Sequence, residues 1–426
     1  MLQLWFVVNT VAWPFSIKLA GLTLNLNVIV LLLAGPVWLW KKRRITSSSA
    51  KVLLLLLAYL IFSVLVALNA PCNDEFLKSV ITAPILMFLV FIGWEVGRRV
   101  GNRDWLKLQK AAIWTLLVAF SAFFMEIAVP SWFPHQAGYR IGGTFSGLFN
   151  EPSEVAFSLF PCVVVLLVAE SRKIRRSGML ALLGLLLFSR SSTLLALIAA
   201  WILYRLLIQR RLGQAGLLAL GFTALIALGS AINYGALVAP TMNRITGVAA
   251  SSESENLSGL VYVQGWQDAW ANLARTRGLG LGFNMMGCHP LPDVPARAVL
   301  ALEGMEELNS QNGSFLFGKI VSEAGVGGLA FYVATIWWWV RLEKRIRVAK
   351  DDAGRFAVST QAALIFCFVA SSFIRSAGYF SGGMLLWIVA VSGASKWRQK
   401  LPTKPARQPG RFPDIGREPP GAVECA

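Results

Sequence analysis

The stretch VLLLLLAYLIFSVLVAL, residues 52–68, decides the fold class. It is apolar almost throughout and carries no charge, and a helix of about 20 such residues crosses the hydrocarbon core of a bilayer. AFSLFPCVVVLLVAE, residues 156–170, repeats the pattern, and 56% of the 426 residues are hydrophobic. Lipid cannot satisfy an unpaired backbone amide, so such runs predict a polytopic, all-α membrane protein. They are continuous rather than alternating, which excludes a β-barrel.

Working outward from that run, length and flanking charge predict about twelve spans. The first reads as Leu4–Ile17, the seventh as Gly178–Phe188, the ninth as Ala215–Tyr234 and the tenth as Asn312–Val340. The membrane body is expected over 1–395, with a Pro-, Arg- and Gly-rich tail over 396–426 that reads as disordered.

The net charge of +18 comes from basic clusters between spans, such as Lys41–Arg44 and Arg172–Arg176. Alternating spans place these clusters on one side, which the positive-inside rule makes the cytoplasm, with both termini there. That explanation removes nucleic acid as a partner. The five cysteines show no metal-site spacing, and no cleavable signal peptide is recognisable. Between Lys173 and Lys319 no lysine occurs, although the interval holds the largest loop, about Gly235–Gln311, on the opposite side. In it, Val263, Trp266, Trp270 and Leu273 share one helical face and Gln267, Asp268 and Asn272 the other, the pattern of a helix lying on the membrane surface. PARAVLALEGMEELN predicts a second short helix, and RTRGLGLGFNMMG between them is rich in glycine.

The basic residues predicted on the loop side are mostly arginines: Arg140, Arg190, Arg244, Arg275, Arg277 and Arg375 among them. Arginine grips phosphate bidentately and keeps its charge. The simpler reading of each is a pairing with loop acids or lipid headgroups. Arg190 and Arg375 stand at tight turns between apolar spans, where an ionisable residue is a functional candidate. In GYRIGGTFSGLFNEPSEVAFS, residues 138–158, Asn150 suits a helix cap, Pro152 the first turn, and Glu151 and Glu154 the positive end of the helix dipole. Glu151 is open to both a structural and a catalytic reading. Lys319 and Glu323, four apart, can neutralise each other. Asn312 suits sugar hydroxyls or a helix cap, and His289 can act as a base near neutral pH. Walker, HExxH and G-x-S-x-G motifs are lacking, which argues against an ATPase, a zincin or that type of serine hydrolase.

GTFSGLFNEPSEVAFSL, FSRSSTLLALIAAW, RTRGLGLGFNMMG and NSQNGSFLFGKIVSEAGVGG, in this order around a large loop, resemble the O-antigen polymerase and ligase family of bacterial polysaccharide enzymes. The resemblance covers roughly Leu53–Ser395. It implies a GT-C-like glycosyltransferase of the bacterial inner membrane with a periplasmic loop between spans nine and ten. Its donor would be a glycan on polyprenyl pyrophosphate, with no cofactor or metal assigned. Membrane lipids, a chain-length regulator and a flippase would be its partners. The six arginines and Asn312 would hold substrate, and Glu151, His289 and Glu307 are the candidate catalytic groups. Ligases of the family typically carry a histidine where this chain has Gln311, which favours a polymerase over a ligase. A twelve-span secondary transporter is the alternative from another class; it calls for repeated halves, which the sequence does not show.

Overall fold

In the computed structural model the described residues are all-α apart from one short hairpin. The structure describes residues 1–12, 15–19, 22–42, 45–67, 73–129, 147–149, 151–189, 191–208, 257–289, 292–302, 304–305, 313–346, 349, 351–374 and 378–395. The predicted ninth span and the tail over 396–426 lie outside these.

The order begins with α1 (Leu2–Val7), which runs into a π-helical turn over Val8–Ala12. Strands β1 (Ser16–Leu19) and β2 (Leu22–Asn25) then pair antiparallel, with Ser16 opposite Asn25. The expected first span to Ile17 is therefore corrected. The alternation of Ser16, Ile17, Lys18 and Leu19 has the period of a strand, and a strand forms. The helices α2 (Leu26–Lys42), α3 (Ser47–Ala67), α4 (Asn73–Arg99), α5 (Asn102–Ala128), α6 (Pro152–Leu167), α7 (Arg172–Ser189) and α8 (Ser192–Leu207) follow. After them come α9 (Leu257–Arg275), α10 (Pro295–Leu302), α11 (Leu316–Ala324), α12 (Val326–Ile346), α13 (Asp352–Ile374) and α14 (Gly382–Ser395).

Among the described residues four helices are long and apolar enough to cross a membrane: 47–66 in α3, 76–99 in α4, α5 and α13. Only 11% of the α3 window is buried, and Leu54, Leu55, Ile61 and Leu65 stand exposed on it. Water would not tolerate that face, and lipid does, so the chain is a membrane-embedded protein. By contrast α13 is 78% buried and forms the centre, packed on α14, α12, α5 and α6.

The described basic clusters gather at one end of the bundle. Arg98 donates to Ser395 Oγ at 3.0 Å and Arg345 to the Ala394 carbonyl at 3.2 Å, which brings the ends of α4, α12 and α14 together. Met1, Lys42, Arg99 and Lys107 surround one polar pocket there, and Arg175, Arg205 and Arg355 another. The other end carries α9, α10 and α11.

Two further expectations are refined. The predicted seventh span is longer than Gly178–Phe188, since α7 starts at Arg172. The predicted tenth span is broken at Gly325 into α11 and α12, with Gly325 at φ 60.

Candidate functional site

The break at Gly325 organises the site. The last carbonyls of α11 need donors, and the glycine-rich loop supplies them. Leu281 N–H donates to the Ser322 carbonyl and Gly282 N–H to the Glu323 carbonyl, both at 2.9 Å, while Val326 N–H donates to the Gly278 carbonyl at 2.9 Å. This docking needs a bare backbone. Gly280 has φ 84, and a Cβ there would lie 2.4 Å from the Glu323 carbonyl oxygen. We expect Gly280→Ala to destabilise the protein by roughly 2–4 kcal/mol, from left-handed strain plus the clash. Thermal unfolding of the purified variant measures this.

Above that backbone seam sits a buried polar cluster. Glu323 is 1% exposed, and its Oε1 meets Lys319 Nζ at 3.0 Å across one helical turn. The expected i,i+4 pairing is thus present. Glu323 Oε2 also accepts from Tyr379 O–H at 2.6 Å and Asn284 N–H at 2.8 Å. Lys319 lies over the Tyr379 ring, 5.8 Å from its centroid. Sequence reasoning reached the lysine and missed Tyr379, 56 residues beyond Glu323.

Tyr379 and Phe283 also close one end of an apolar cavity of about 390 Å³. Its walls come from α3 (Val52 to Ser63), α4 (Ala83 to Trp94), α12 (Gly328, Phe331) and α14 (Trp387). From Val52 to Ser63 the wall extends about 16 Å at 1.5 Å per residue. Helix α3 packs on α4, with no comparable helix–helix seam to α12.

Helix α9 reverses its expected orientation. Of the polar face predicted to meet water, Asp268 and Asn272 are 2% and 1% exposed and Gln267 is half-buried, with Gln264 buried beside them, whereas Trp270 is 48% exposed. Partners distant in sequence draw it inward. Arg297 Nη2 from α10 reaches Asp268 Oδ2 at 2.7 Å. The Gln264 amide, with its oxygen turned to Arg297, accepts at 3.0 and 3.2 Å. Asn272 Nδ2 donates to Ser322 Oγ at 3.2 Å, and Gln267 accepts from Ala296 N–H at 3.0 Å. Trp266 packs on Phe315 and Phe317. Burial pushes the Asp268 carboxyl above its usual range, and Arg297 pulls it partly back.

Of the predicted site residues, Arg275, Arg277, His289 and Glu151 are described. Arg140, Arg190, Arg244, Arg375, Asn312 and Glu307 lie outside the described residues. Arg275 ends α9 and donates to Asn272 Oδ1 at 3.0 Å, which links it through Ser322 to the Glu323 turn. Arg277 is exposed at the loop's surface with φ 51. His289 is half-buried after a 3₁₀ turn over Met286–Cys288. Its pKa is held below the usual value first by burial, then by the Arg275 charge, against an opposing hydrogen bond with the Leu281 backbone. Its Nε2 is shielded and has no hydrogen-bond partner among the described residues. The structure therefore brings Arg275 and His289 together.

Glu151 is the N-cap of α6, one residue later than the expected Asn150 cap, with Pro152 as the first helical residue. Gly147, from the glycine-rich stretch ahead of it, has φ 58 and abuts Phe123, and its N–H donates to the buried Glu126 at 2.7 Å. Gly147 therefore packs on α5. Cys288 is disulfide-bonded, whereas Cys162 and Cys367 are free. No group of three His, Cys, Asp or Glu able to hold a metal occurs among the described residues. Comparison with protein-family models finds none that matches the chain, and no curated protein matches it.

Proposed function

We propose that the protein is a membrane glycosyltransferase that joins oligosaccharide units carried on polyprenyl pyrophosphate into a longer polysaccharide. The observation that carries this reading is the apolar cavity between α3, α4, α12 and α14, lined at one end by Tyr379, whose hydroxyl donates to Glu323 beside Lys319. An isoprenoid chain is apolar and uncharged, and such a slot suits it. Among the described residues no comparable helix–helix seam closes the side between α3 and α12, which would admit it from the bilayer. Its diphosphate would meet the loop end, where Arg275 and Arg277 offer guanidinium groups.

The basic end is the cytoplasmic one by the positive-inside rule, so the site faces the periplasm of a bacterial inner membrane and both termini lie inside. The disulfide at Cys288 accords with an oxidising compartment on the loop side. The motif order of the O-antigen polymerase and ligase family, with about twelve spans in a GT-C-like arrangement, belongs to this reading. A chain-length regulator and a flippase would then be its partners.

The chemistry follows from charge. Polyprenyl pyrophosphate leaves readily once its negative charge is neutralised, which fixed arginines do. The acceptor hydroxyl must lose a proton. His289 is held neutral at pH 7 by burial and Arg275, and its Nε2 is free to accept. A deletion strain should lose long-chain surface polysaccharide on a gel and regain it with the intact gene. Unaltered chain length in the deletion overturns the polymerase reading. Loss of attachment to lipid A core with free polymer still made indicates a ligase.

A pH dependence follows. Only neutral His289 accepts a proton, so activity falls on the acid side through a pKa below 6.5. Arg275→Gln removes one depressing charge and moves that acid limb upward, toward 6.5, with the burial contribution remaining. The pH profile of kcat/KM for the two proteins measures the displacement; an unmoved limb disconnects Arg275 from His289.

A further inference from the structure

The bundle's basic end holds a pocket that the transfer reaction does not use. It is small, about 60 Å³, and its polar lining is Arg175, Arg205, Arg355, Glu170 and Ser359. The three arginines come from three helices: the first turn of α7, the last turn of α8 and the first turn of α13. Arg205 is 3% exposed and stacks over Trp201 at 5.5 Å, so its guanidinium is held in place. Arg355 meets Glu170 and Asp352 at 3.9 Å each, charge pairings beyond hydrogen-bond length. Glu170 is the one acid in the lining against three guanidinium groups.

The first turn of α7 adds to the imbalance. Arg172, Lys173, Arg175 and Arg176 crowd the positive end of its dipole, where cations are disfavoured and an anion is welcome. A planar guanidinium fork matches phosphate oxygens two at a time. We propose that this pocket binds a phosphate group, supplied by an anionic phospholipid headgroup or by free phosphate. Three guanidinium groups would surround it and Ser359 would donate from the side, while Glu170 repels a second anion. The proposal is independent of the glycosyltransferase reading, since it concerns the opposite end of the bundle.

The test uses the purified full chain in neutral detergent at constant ionic strength, followed by thermal unfolding. Three probes are compared: micelles doped with phosphatidylglycerol, micelles doped with phosphatidylcholine, and inorganic phosphate. Phosphatidylglycerol is expected to raise the melting temperature and phosphatidylcholine not to. Arg175→Gln, on the pocket's half-buried rim, should weaken the apparent affinity by roughly tenfold, as loss of a charge-assisted hydrogen bond does. Lys173→Gln, exposed and outside the lining, should leave it within about twofold. A response to inorganic phosphate that Arg175→Gln weakens identifies free phosphate as the source and also supports the site. No response to any probe, or equal weakening by both substitutions, overturns the proposal. Arg205→Gln is a second variant, and Arg175→Gln keeps the test decisive if the buried change prevents folding.

Discussion

On the proposed transferase reading, replacing His289 with glutamine is expected to lower sugar transfer by about 10²–10⁴-fold, the range that a positioned general base contributes. Glutamine keeps the size and polarity of the site but cannot take a proton at neutral pH. The expectation rests on three features of the imidazole. Burial and Arg275 keep it neutral, the Leu281 backbone occupies one ring nitrogen, and Nε2 has no hydrogen-bond partner among the described residues. A buried acceptor without a partner is uncommon in a folded protein and marks a group awaiting one. The measurement is glycan chain length together with the amount of protein in the membrane. Normal chains at normal protein level would remove His289 from the mechanism and leave the acceptor's proton to another group.

The second large effect is on stability. Lys319→Met should destabilise the protein by about 3–5 kcal/mol, because removing one member of a buried ion pair strands the other. Among the described residues, Glu323 would then keep only the Tyr379 hydroxyl and the Asn284 amide to hold its charge in a buried site. Adding Glu323→Gln to Lys319→Met removes the stranded charge and should recover more than half of the loss. That recovery is the coupling a double-mutant cycle reads from thermal unfolding. Additive losses would show that the pair does not act as a unit.

Much of this architecture was legible in the sequence because it is local. The uninterrupted run at 52–68 gave α3, Pro152 placed the start of α6, and four-residue spacing paired Lys319 with Glu323. What stayed hidden depends on contacts made across the chain. Periodicity shows that α9 has two faces and does not say which one turns inward. That choice is made by Arg297, on α10, and by Ser322 of α11. Similarly, nothing near Glu323 announces that Tyr379 completes its hydrogen bonding. Gly325 was visible in the GVGG of the tenth predicted span, yet the break arises from the Gly278–Gly282 loop docking there. The hairpin over Ser16–Asn25 had its own alternating signal, which the flanking apolar residues outweighed.

The central claim is that a glycan leaves polyprenyl pyrophosphate at the loop end of this bundle and joins another. Purified protein in liposomes, supplied with a lipid-linked repeat unit alone, tests it directly when the products are resolved on a gel. The account predicts a ladder of lengthened glycans with matching release of free polyprenyl pyrophosphate. Unchanged lipid-linked units, with sugar instead moving across the vesicle membrane, would contradict it.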